Sequence, residues 1–159
     1  MHLEGWVPEP LPAIKRQEVL CLRLVQRISG RPHPYSMGKQ GHRLTFLVIE
    51  SRPKEGLSTR KLLLESAGHN VLTSYSGKEG LAMFERFPQV DTICIEAELK
   101  DLKSVNVAKG LRQLLPDIRI VAFTPRMGAK YEWADATVNS HDPGALLELL
   151  QEMGERSDV

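Results

Sequence analysis

A chain of 159 residues, 42% of them hydrophobic and 26% charged, has room for one domain with a proper core and an appendage. A formal net charge of +1 gives no global pull towards nucleic acid or a membrane surface, so any such contact has to come from a local patch. Cys21 and Cys94 stand in separate segments without metal spacing, no apolar run is long enough to span a bilayer, and the first residues lack a signal-peptide core; a soluble cytoplasmic protein is expected.

Residues 1–12 carry Pro8, Pro10 and Pro12 and are not expected to fold alone. Ile14, Leu20, Cys21, Leu24, Val25 and Ile28 then recur at helical spacing until Gly30 and Pro32, which predicts an amphipathic helix over 13–29. Lys15, Arg16, Arg23 and Arg27 decorate its other side, either as the solvated face of a helix packed on its own domain or a twin, or as a basic surface for a partner, a membrane surface or nucleic acid. Gly30, Pro32, Pro34, Gly38 and Gly41 make the following stretch a linker, and a start of translation at Met37 is a further reading. Residues 1–43 are therefore expected to be an N-terminal extension, 44–153 the domain and 154–159 a tail.

Leu44 to Ile49 reads as a strand, closed by the turn Glu50-Ser51-Arg52-Pro53. Leu57, Leu62, Leu63 and Leu64 mark a helix ending at Ala67-Gly68, and Asn70 to Ser74 is a second strand. Ser76 with Glu79 three residues on predicts a capping box, and Leu81, Met83, Phe84 and Phe87 supply the apolar face behind it. Ile93-Cys94-Ile95, bounded by Asp91 and Glu96, has the unbroken apolar character of a strand buried on both faces. A helix over 102–115, a strand over 119–123 tipped by Thr124, a brief strand over 136–138 and a last helix from Asp142-Pro143 through Leu150 complete the pattern. Alternation of this kind requires parallel strands with right-handed crossovers, hence a three-layer α/β sandwich around a five-stranded sheet. The strand tips at Glu50, Glu96 and Thr124 are expected to meet at one sheet edge, where such folds keep their ligands.

These landmarks resemble the receiver domain of two-component response regulators, a flavodoxin-like fold. The resemblance is carried by Phe46-Leu47-Val48-Ile49-Glu50-Ser51-Arg52-Pro53, Ala67-Gly68-His69-Asn70-Val71, Ser76-Gly77-Lys78-Glu79-Gly80-Leu81, Asp91 to Glu96, Pro116 to Thr124, Ala134-Asp135-Ala136 and Asp142-Pro143. It implies a phosphoacceptor at Glu96, magnesium-holding acids at Glu50 and Ser51, a hydroxyl at Thr124, a lysine at Ser140 and a signalling aromatic at Thr137. This chain keeps Thr124 and Glu50 alone of that set. Glu96 replaces an aspartate, Ser51 an acid and Ser140 the lysine, while Glu98 adds a further carboxylate if it folds inward. The longer glutamate moves its carboxylate on the order of 1.5 Å, and a misplacement of about 1 Å can cost roughly a hundredfold.

The expectation is therefore a pseudo-receiver: not an enzyme, with no cofactor, working by protein–protein contact in a signalling pathway. Glu96 is either a mimic of the phosphorylated state or a solvated relic. Only Pro125 to Trp133 separates the fourth strand from Ala134, so the fourth helix of the resemblance is shortened or lost. Met127, Tyr131 and Trp133 are then candidates for a partner surface, with Trp133 filling the vacated volume as the other reading, and a homodimer is left open. Two alternatives stand beside this: a working response regulator that binds magnesium and takes phosphate from a histidine kinase, and nucleic-acid association through residues 13–43. The five histidines are scattered without metal spacing, and His69 and His141 are expected on exposed turns.

Overall fold

The computed structural model of the protein describes residues 43–51, 56 and 58–157. The predicted helix over 13–29, the linker up to residue 42, and Pro53 and Leu57 lie outside them. Five strands are present: β1 (Thr45–Ile49), β2 (Asn70–Ser74), β3 (Thr92–Glu96), β4 (Arg119–Thr124) and β5 (Ala136–Asn139). They form one parallel sheet in the order β2-β1-β3-β4-β5. The helices are α1 (Thr59–Ser66), α2 (Gly77–Arg86), α3 (Ser104–Leu114) and α4 (Pro143–Ser157). α4 continues four residues past the domain end expected from sequence.

Side-chain alternation along the strands divides the core into two layers. Leu47, Ile49, Ile93, Ile95 and Ile120 point to one face, covered by Phe84 of α2 and by Val107, Ala108, Leu111 and Leu114 of α3. Phe46, Val48, Cys94, Val121 and Phe123 point to the other, against Leu64 of α1 and Leu146, Leu150 and Met153 of α4. Double coverage explains why β3 reads as an unbroken apolar run rather than an alternating one. Cys94 is a small buried hydrophobe, and burial pushes its thiol up to about 12.

Local chemistry ends the helices where the sequence suggests. Ser58 accepts a hydrogen bond from the Lys61 N–H at 3.2 Å and caps α1, while Gly68 takes a φ of 88° just beyond its last turn. Ser76 accepts from the Glu79 N–H at 3.1 Å. The Glu79 carboxylate accepts from the Tyr75 N–H at 3.0 Å, one residue before the partner of an ordinary capping box. Asp101 accepts from the Gly77 and Lys78 N–H groups at 2.8 and 3.1 Å, tying the start of α2 to the loop after β3. Gly80 permits the close approach of α2 to β1, since a Cβ there would meet Ile49 Cγ1 at 2.7 Å.

His69 departs from the sequence expectation. It is half-buried, its Nδ1 accepts the Leu44 N–H at 3.2 Å, and its ring stands edge-on to Phe46 at 5.2 Å. Burial lowers its pKa from 6.5, Arg43 adds to the lowering, and Asp91 opposes both. A depressed folded pKa means that the unfolded chain binds the proton first as pH falls. His69 therefore contributes its full stability above the unfolded value, and that contribution is lost as pH falls below it towards the folded value. Urea midpoints measured from roughly pH 7.5 down to about pH 5 are expected to fall, and to fall less steeply in His69→Gln. Identical slopes would show that His69 is not the responsible group.

Candidate functional site

Because all five strands are parallel, their carboxyl ends open on the same edge of the sheet. The pairing of Ile49 with Ile95 and of Glu96 with Phe123 sets Glu50, Glu96 and Thr124 side by side there, as the sequence led one to expect. Glu50 is in phase with Phe46 and Val48, so it turns towards α1 and is 2% exposed. A carboxylate at that depth requires a cation, and Arg60 in the first turn of α1 provides one by an ion pair to Glu50 Oε2. The Arg60 guanidinium also lies over the Phe123 ring, 5.1 Å from its centroid. Buried there, Glu50 Oε1, Ser51 Oγ and Arg60 Nε have no hydrogen-bond partner among the described residues.

Glu96 turns back onto β1. Its Oε2 accepts the Ser51 N–H at 2.7 Å, a charge-assisted bond. Its backbone carbonyl accepts from Ser104 Oγ at 2.7 Å, and the same hydroxyl lies 3.0 Å from the Ala97 carbonyl, which anchors the start of α3 to the strand tip. Glu98 does not fold inward: it pairs with Arg126 at the surface, with both side chains more than half exposed. Among the described residues no group of three His, Cys, Asp or Glu side chains is arranged to hold a metal ion.

On the other side of the edge, Thr124 Oγ1 accepts from the Arg126 N–H at 3.2 Å and from the Tyr131 hydroxyl at 3.3 Å. Ser140 meets Thr124 through the backbone, its N–H donating to the Thr124 carbonyl at 2.9 Å. Between β4 and β5 the described residues form turns and no helix. Tyr131 and Trp133 pack ring against ring at 5.3 Å, and Trp133 lies half-buried against the core layer beneath α2 and α3. Met127 stands apart from them at 89% exposure. An open cleft of about 490 Å³ runs beside this loop, lined by Thr124, Arg126, Lys130, Tyr131, Thr137 and Asn139.

The structure thus gathers Glu50, Ser51, Glu96, Thr124 and Ser140 at one edge and separates Met127 from Trp133. Arg60 was missed from sequence. In the linear chain it is one cation among several on a helix, and only the strand order aims it at Glu50.

No protein-family profile and no curated protein sequence matches the chain. Solved structures do match. A response regulator receiver domain protein from Clostridium thermocellum superposes with a TM-score of 0.61 at 21% identity, over 72% of this chain and 97% of that one. A CheY-like receiver domain protein from Methanospirillum hungatei JF-1 gives 0.61 at 22% identity, over 74% and 98%. The response regulator TrrA from Thermotoga maritima, solved in complex with Mg(2+)-BeF, gives 0.60 at 22% identity, over 69% and 97%. The described residues have the five-stranded, flavodoxin-like fold of response regulator receiver domains.

Proposed function

We propose that this chain is a pseudo-receiver, a signalling domain that acts by protein contact and carries no phosphoryl group. The observation that carries the reading is the bond from the Ser51 N–H to Glu96 Oε2 at 2.7 Å. A nucleophilic carboxylate needs a free oxygen aimed in line at phosphorus, and metal and ammonium charge to neutralise the group in transfer. Here the Glu96 carboxylate is drawn sideways onto β1, and the neighbouring side chains of Ser51 and Ser140 are neutral.

Magnesium, the ion held by the Thermotoga relative in fold, does not fit these residues. It favours six oxygen ligands, one or two of them carboxylates. Glu50, the carboxylate placed to anchor it, is already paired with Arg60, and Glu96 is committed to a backbone N–H. The partner surface is assigned to the turn between β4 and β5, where Met127 projects and Tyr131 ties the turn to Thr124. The domain runs from residue 44 to the end of α4, and a protein partner supplies the output.

Incubation with acetyl phosphate and magnesium is expected to leave the intact mass unchanged, with no shift in tryptophan fluorescence. A covalent phosphate on Glu96 would overturn this reading in favour of a working response regulator.

A further inference from the structure

Glu50 and Arg60 form the most deeply placed ion pair among the described residues. Surface ion pairs such as Lys61 with Glu65 have both members about half exposed. Glu50, by contrast, is 2% exposed at the floor of the edge where Glu96 and Thr124 also end. The arginine is held from two sides: by the carboxylate, and by the face of Phe123, the residue before Thr124. Its Nε and the second Glu50 oxygen nevertheless have no partner among the described residues, nor does the Oγ of Ser51, the residue after Glu50. A pair optimised only for packing would satisfy these atoms.

We infer that Arg60 is the resident counter-ion of this sheet edge, and that its guanidinium is what keeps a divalent cation out. This deepens the proposed function, on which it rests, by naming the residue that makes the site independent of metal. Glu96 spends only Oε2 on the Ser51 N–H, so its second oxygen, with a Glu50 carboxylate released from Arg60, is a sufficient protein contribution for a hydrated divalent ion. A fixed positive charge bonded to one of them removes both a ligand and the favourable field. The sheet edge is thus a cation site that carries its own cation.

Removal of that charge therefore creates a metal site. In Arg60→Gln, manganese is expected to broaden the amide resonances of Ser51, Glu96 and Thr124 saturably, at concentrations at least about tenfold below any effect on the natural chain. Magnesium is expected to raise the unfolding midpoint of the variant and not that of the natural chain. Both responses should vanish in the double variant Glu50→Gln/Arg60→Gln, which also serves as the folded control. If Arg60→Gln is unfolded alone, magnesium is expected to fold it. Equal broadening in the natural chain would overturn the inference, as would a variant that divalent ions neither bind nor stabilise. These readouts involve no phosphoryl donor, so phosphorylation of the natural chain would sink the proposed function separately, with the Arg60 comparison read on its own terms.

Discussion

Arg60→Ala is expected to lower the unfolding free energy by about 3–5 kcal/mol, because it leaves a buried carboxylate without a cation. Glu50 cannot escape to water, since its side chain lies beneath α1 with 2% of its surface exposed. The favourable contact of the guanidinium with Phe123 is lost in the same step. The pair as a whole is another matter. Replacing both members by apolar residues of similar volume, Glu50→Leu with Arg60→Met, removes the desolvation cost together with the attraction and should be close to neutral. A urea double-mutant cycle measures the difference directly. A loss below about 1 kcal/mol for Arg60→Ala would class the pair with ordinary surface contacts and remove the reason to treat it as a property of the site.

Phe84→Ala is expected to cost a similar amount, about 3–5 kcal/mol, by a different route. Phe84 is fully buried where α2 meets the sheet, in one cluster with Ile49 and Ile95. Those isoleucines immediately precede Glu50 and Glu96, so the cavity opens one residue back along β1 and β3 from the candidate site, on the sheet face opposite the Glu50 side chain. Urea unfolding reports the total loss, and hydrogen exchange at the Ile49 and Ile95 amides is expected to rise more than at β5. Phe87 is the control. It lies just past the end of α2 and is 45% exposed beside Arg86, so Phe87→Ala should change stability by no more than about 0.5 kcal/mol. A loss at Phe87 comparable to that at Phe84 would contradict the division of the two rings between core and surface.

That division marks what hydropathy could and could not reveal. Phe84 and Phe87 occupy equivalent positions in the periodic pattern, and the linear chain treats them alike. Pro88 stops the helix, the chain turns at Phe87, and the second ring is carried out of the contact. His69 was misjudged for a related reason. A polar residue after a Gly cap reads as an exposed turn, but its ring is claimed by a neighbour 25 positions away, the Leu44 N–H. The tether of Tyr131 to Thr124 was equally invisible, because the turn between β4 and β5 has no periodicity from which to read a direction.

By itself the sequence determined the order of elements, the parallel sheet and the meeting of Glu50, Glu96 and Thr124 at one edge. Those follow from short-range patterning and from the handedness of strand–helix–strand connections. Only the tertiary structure decided which groups neutralise those carboxylates. The Ser51 N–H closes on Glu96 across 45 residues, and Arg60 reaches Glu50 from a helix whose position over the sheet is a consequence of strand order. Charge pairing depends on distance in space and on burial, and neither is written in the spacing of residues along the chain.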